Sequence, residues 1–178
     1  TANFASIATT GTAWTADQRT AGHVDVAMPF SMYLGTQQIA AGSTMSITPD
    51  GSVTFDGLSN ALIAPLYYAS GYQAGETSIY YRVTGTMVVV EWRKVVSGSN
   101  VYSFQLKLDN NSQVQFCYGP MTISGSLSVF VGMRTTAEDV FCCTGNDWSE
   151  ITRGNTYATR NLSASYRPEY NVTTGQGV

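Results

Sequence analysis

Charge is scarce in this chain. Asp, Glu, Lys and Arg make up 12% of 178 residues, roughly half the share usual in a soluble globular protein. Thr, Ser, Gly, Asn and Gln fill the deficit, giving a neutral, hydrogen-bonding surface that suits extracellular modules and close-packed assemblies. Nine basic against 12 acidic residues leave a net charge of -3, and the longest basic run is Arg93-Lys94. Nothing there neutralises a line of phosphates, so nucleic acid is not an expected partner. Histidine is limited to His23, beside Gly22 in a polar stretch with no nucleophile motif nearby, so a surface histidine is expected rather than a catalytic base. No GxSxG elbow occurs. The carboxylates are scattered, densest at Glu138-Asp139 and Asp147 to Glu150, and nothing favours the facing pair that a glycosidase needs. A non-enzymatic role without a cofactor is expected. Apolar runs are short, Met87 to Val90 being the longest candidate, so no membrane insertion is expected. The chain opens on Thr1 without a leader-like apolar stretch, as expected of a mature product or of a sequence from which targeting segments have been removed, which says nothing against secretion.

Cysteine is limited to Cys117, Cys142 and Cys143. An odd count allows at most one bridge. Cys117 with Cys142, or with its neighbour Cys143, would close a loop of about 25 residues and contribute on the order of 3 kcal/mol. Three buried thiols acting as small apolar groups satisfy the same count. The adjacent pair lacks CxxC spacing and one histidine cannot complete a ligand set, so no metal centre is expected there.

Helical periodicity is also missing. β-branched and aromatic residues recur instead in short runs bounded by Gly, Asn, Asp and Ser. Val24 to Leu34 is the first, and Pro29 inside it suggests an edge or a bulge. Thr44 to Thr48 and Ser52 to Phe55 flank Pro49-Asp50-Gly51 and predict a hairpin. Ala61 to Tyr68 is nearly continuous apolar, as in a strand buried on both faces. Thr77 to Thr84, Thr86 to Arg93, Val101 to Leu108 and Gln113 to Tyr118 alternate cleanly, separated by Gly85, Ser97 to Asn100 and Asp109 to Ser112. They predict a meander with one apolar face, on which Glu91, opposed to Val88, Val90 and Trp92, is expected to face solvent. Leu127 to Met133 and Val140 to Cys143 add two short strands. The whole predicts an all-β, antiparallel β-sandwich of jelly-roll type in a single domain. Residues 1–24 form an N-terminal arm or first strand, 25–165 the sandwich, and 166–178 a C-terminal arm or linker.

The run "IYYRVTGTMVVVEWRKVVSGSNVYSFQLKLDNNSQVQFCYG" (Ile79 to Gly119) resembles a segment of secreted Bacteroidota surface proteins, in which a "YRVTG…VVEW" strand pair leads to a hairpin ending in "YG". "PFSMYLG" (Pro29 to Gly35), "MSITPDGSVTF" (Met45 to Phe55), "NALIAPLYY" (Asn60 to Tyr68), "VGMR" (Val131 to Arg134) and "NDWSEIT" (Asn146 to Thr152) follow the same pattern in order, over roughly residues 25 to 165. The resemblance implies a β-sandwich module of large, adhesin-like proteins, many exported by a type IX route. Where relatives carry acidic residues after the "APLW" position, this chain has Tyr67-Tyr68-Ala69-Ser70, which argues against metal binding in that loop.

Aromatic residues are the better lead to a site. Tyr67, Tyr68 and Tyr72 fall together near a Gly-containing loop, and Trp148 follows Asn146 and Asp147 in a polar one. Aromatic faces beside amides and carboxylates suit sugar or protein contacts; packing at the rim of the core is the competing reading. Asp139, Asn146 and Asp147 offer oxygens for calcium but lack EF-hand spacing, and loop solvation accounts for them more simply. The expected setting is the extracellular cell surface, and the expected partners are other protein subunits or cell-surface glycans. A homo-oligomer joined by strand addition through Thr1 to Arg19 or Ala164 to Val178 is one form. A carbohydrate-binding module is the alternative.

Overall fold

In the computed structural model, which describes residues 4–34, 37–58, 61–68, 72, 78–120, 122, 129–134, 139–145, 156–159 and 171–172, strands dominate. In chain order they are β1 (Thr12–Ala13), β2 (Val24–Ala27), β3 (Met32–Leu34), β4 (Gln37–Ile39), β5 (Thr44–Thr48), β6 (Ser52–Phe55), β7 (Leu62–Tyr67) and β8 (Ser78–Val83). Then come β9 (Met87–Ser97), β10 (Asn100–Asp109), β11 (Val114–Tyr118), β12 (Val129–Arg134), β13 (Asp139–Gly145), β14 (Thr156–Thr159) and β15 (Asn171–Val172). The helix α1 (Ala16–Ala21) lies between β1 and β2.

Two antiparallel sheets form a sandwich, and β3 pairs with β4 separately. One sheet has seven strands in the order β1-β8-β9-β10-β11-β14-β15 and the other six, β13-β12-β7-β6-β5-β2. The meander expected from alternation is the centre of the first. Its inner face is a cross-strand ladder: Val88, Leu108 and Val114 in one row, Val90, Leu106 and Phe116 in the next, then Trp92, Phe104 and Tyr118. All nine are buried and meet Val24, Met45, Ile47, Val53, Ile63, Val131 and Met133 of the six-stranded sheet in one core. The β7 segment behaves as its unbroken apolar run predicts, with Ile63, Ala64 and Leu66 inaccessible in mid-sheet.

Both prolines that interrupt strand patterns have a position that tolerates a missing N–H. Pro29 falls between β2, an edge strand, and β3, so it divides the Val24–Leu34 run between two sheets. Pro65 lies where the β7–β12 register shifts, and its carbonyl accepts the Tyr118 hydroxyl at 2.6 Å. That bond ties the two sheets together, as does the Trp92 indole N–H donating to the Thr48 carbonyl at 2.8 Å. The Pro49-Asp50-Gly51 turn is present between β5 and β6, closed by the Asp50 carboxylate, which accepts from Thr48 Oγ1 (2.6 Å), Ser52 Oγ (2.7 Å) and Ser52 N (3.1 Å).

The first and last of the strands, β1 and β15, join the seven-stranded sheet. Thr12–Ala13 pair with Tyr80–Tyr81 of β8, and Asn171–Val172 pair with β14. From β1 the chain crosses to the other sheet through α1. Thr15 and Gln18 form a reciprocal N-terminal cap, Gly22 ends the helix in the left-handed region at φ 79, and no residue of α1 is buried.

Candidate functional site

The tyrosine group resolves into core and rim. Tyr72 is 4% exposed, and its hydroxyl donates to the Leu66 carbonyl at 3.0 Å. Its ring centroid lies 5.6 Å from those of Tyr68 and Tyr102 and 6.1 Å from Phe104. The sequence groups Tyr72 with Tyr67 and Tyr68 near a Gly-containing loop as a candidate contact residue; the structure places it in the core. Its intramolecular hydrogen bond lets the phenol be buried without losing a partner. Tyr67 and Tyr68 are half-buried, and Tyr68 packs against the core. Asn146, Asp147 and Trp148 lie outside the described residues.

Burial first, then the neighbouring Tyr102, Asp50 and Tyr68, hold the Tyr72 hydroxyl well above its ordinary 10.0. Burial likewise pushes Tyr102 up to about 12, against a hydrogen bond with Asn100 that lowers it. Both phenols therefore ionise more readily in the unfolded chain; the contribution of Tyr102 is intact below about pH 10 and is lost on rising through about 12, and that of Tyr72 is likewise lost only on the alkaline side. Alkaline titration should show stability falling across that window, and Tyr102→Phe should flatten the fall. Tyrosinate absorbance followed beside circular dichroism checks this.

The more developed arrangement lies on the other face of the meander. Tyr80, Glu91, Gln105 and Cys117 stand in one row across β8 to β11, pointing away from the core. This corrects the expectation for Glu91. It is outward-facing, but it is fully buried, as is Gln105, because residues 4–7 of the N-terminal segment lie over both. Glu91 Oε2 accepts the Ile7 N–H at 2.6 Å, and Oε1 accepts the Ser6 hydroxyl at 2.8 Å. The Gln105 amide nitrogen donates to the Ala5 carbonyl at 2.6 Å and to Glu91 Oε2 at 3.1 Å. Turned over, that amide would set oxygen against oxygen at both contacts, so its orientation is determined. Two side chains thus read the backbone of an extended segment at a carbonyl and at an N–H two residues on.

Side chains complete the seat. Phe4 lies on Gly119, where a Cβ would come within 2.8 Å of its ring. Ile7 is buried at 3% exposure, Trp14 is buried in the main core, and the Trp14 N–H donates to the Ile79 carbonyl at 3.0 Å. A bulge shapes the neighbouring strand. Lys94 adopts φ 51 and donates its N–H to Ser103 Oγ at 3.1 Å, and the pairing of β9 with β10 shifts between Tyr102 and Phe104. A cleft of about 340 Å³ opens there, lined by Phe4, Ser6, Arg93, Lys94, Ser103 and Pro120 among others.

Sequence reasoning missed this seat. Polar Glu91 and Gln105 on outward positions look solvated, and only the apolar Val89 beside them hinted at a cover. His23 is a surface residue, with Nε2 3.5 Å from Asp25 Oδ2 and Nδ1 3.2 Å from the Ala21 carbonyl. Cys117 is buried in the outward row of β11, while Cys142 belongs to β13 of the other sheet and its side chain lies outside the described residues. The side chain of Asp139, on β13, lies outside them too. No group of three His, Cys, Asp or Glu side chains suited to a metal occurs among the described residues, and no helix there is long and apolar enough to cross a membrane. Comparison with protein-family models, curated proteins and solved structures finds no match to this chain.

Proposed function

We propose that this chain is a non-enzymatic, extracellular β-sandwich module of a cell surface, acting in adhesion or surface structure through contacts with other protein subunits. The observation that carries the reading is the seat on the outer face of the seven-stranded sheet. A buried carboxylate and a buried amide are both directed at the backbone of an extended segment, which is the chemistry of peptide recognition rather than of bond cleavage. The low charge, with a net of -3, limits repulsion between neighbouring modules.

Half-buried Tyr67 and Tyr68 favour a second reading, a carbohydrate-binding module, since aromatic faces at a surface suit sugar rings. Size-exclusion chromatography with light scattering and electron microscopy, run beside a glycan array, separates the two. The structural reading expects oligomers or filaments whose abundance rises with concentration. A strictly monomeric protein with glycan binding that Tyr68→Ala abolishes would replace it with the carbohydrate reading.

A further inference from the structure

We propose that residues 4–14 form an exchangeable arm, able to leave the seat on its own sandwich and fill the same seat on a second copy of this chain. This deepens the surface-assembly reading and rests on it. The seat now holds this chain's own residues, so a second copy carries a segment already matched to it in every contact: Phe4 on Gly119, Ala5 and Ile7 on the Gln105–Glu91 pair, Thr12 and Ala13 on β8, and Trp14 in the core.

The connector makes exchange feasible. Everything from Ile7 to Trp14 that is buried lies before α1, and α1 itself buries nothing. It is held by its own caps and by the Arg19 guanidinium 5.5 Å over the Trp14 ring. Opening six residues there costs few contacts and lets the arm swing as a unit. The exchanged form then regains every arm contact, so the two forms differ only in the connector and in concentration. Undocking the arm forfeits the burial of Ile7 and Trp14 and its hydrogen bonds to Glu91 and Gln105, which disfavours a chain with its arm undocked and couples leaving one seat to filling another. Reciprocal exchange gives dimers, and exchange passed along gives chains of modules.

A cross-strand disulfide tests this in the full chain. Ala13 and Tyr80 face each other directly, in the closer, non-hydrogen-bonded class of pair, because the next pair bonds through Trp14 N–H to the Ile79 carbonyl. Ala13→Cys/Tyr80→Cys protein is concentrated, incubated, oxidised and run on a non-reducing gel beside the native chain. Exchange predicts covalent dimers or a ladder that grows with concentration, whereas the same protein oxidised while dilute closes on itself and no longer assembles. Intrachain closure at every concentration, with oligomers still present by light scattering, overturns exchange and leaves surface assembly standing. Intrachain closure with monomers alone overturns both. If the double variant does not fold, a fluorescent peptide of residues 4–15 added to the native chain answers instead. Saturable uptake that Glu91→Leu abolishes supports exchange, and no uptake overturns it.

Discussion

Gly51→Ala is expected to lower the stability of this protein by about 3–5 kcal/mol, enough to bring its Tm down by on the order of 10 °C. Two costs combine. Gly51 sits at φ +90, where an L side chain is strained by roughly 1–2 kcal/mol. A Cβ would also stand 2.0 Å from the Leu66 carbonyl oxygen and 2.9 Å from its carbon. These are backbone atoms of a central strand, so no rotamer change relieves the overlap. The strand end would have to move, and with it the Tyr72 hydroxyl bound to that same carbonyl and the Tyr68 N–H bound to the Asp50 carbonyl. Gly57→Ala is the internal control. It has a similar φ of +77 and nothing within 4 Å, so it should cost only about 1 kcal/mol. Denaturant unfolding of the two variants checks the pair, and equal losses would mean that strain alone, not the close approach to β7, governs Gly51.

The turn around Gly51 was legible because Pro, Asp and Gly at that spacing have one common use. The inner face of the meander was legible for a comparable reason: period-two alternation has only one way to bury Val88, Val90 and Trp92 together. The same rule fails past Lys94. Trp92 and Val95 are both inaccessible although three residues apart, because the bulge at Lys94 reverses the phase of the strand. Alternation therefore recovers β9 only to Arg93, and the structure carries it to Ser97.

Burial by a distant segment is harder to read still. Glu91 looks solvated from its neighbours in sequence, and its cover comes from Ile7, 84 residues away. No local pattern encodes that contact. Tyr72 failed in the opposite sense: an aromatic in a polar stretch suggested a ligand face, but a carbonyl six residues back satisfies its hydroxyl and admits it to the core. What alternation predicts well is the face a residue points to. What it leaves open is what else lies on that face, and on this sheet that is the N-terminal segment held by Glu91 and Gln105.

Glu91 is the position where that difference can be measured. Glu91→Leu is expected to release residues 4–7 while the sandwich stays folded. The Ile7 N–H and the Ser6 hydroxyl would lose their acceptors and Gln105 one of its two. A buried donor left unsatisfied costs about 1–3 kcal/mol, and a segment at the end of the chain can escape that cost by returning to water. The loss should therefore appear locally. Amide exchange at Ile7 should quicken by about 30-fold or more, as a cost of about 2 kcal/mol implies, while Val90 and Leu106 in the inner ladder change far less. Glu91→Gln makes the sharper comparison. Its amide oxygen can take the place of Oε2, accepting from Ile7 and Gln105. Its nitrogen then faces Ser6 Oγ, a hydroxyl that can turn from donor to acceptor. The hydrogen-bond pattern survives and only the charge assistance is lost, so protection at Ile7 should fall by no more than about 10-fold. If Gln and Leu release the segment equally, the carboxylate holds the arm by charge alone; if neither does, the apolar seats of Phe4 and Ile7 hold it without the clamp.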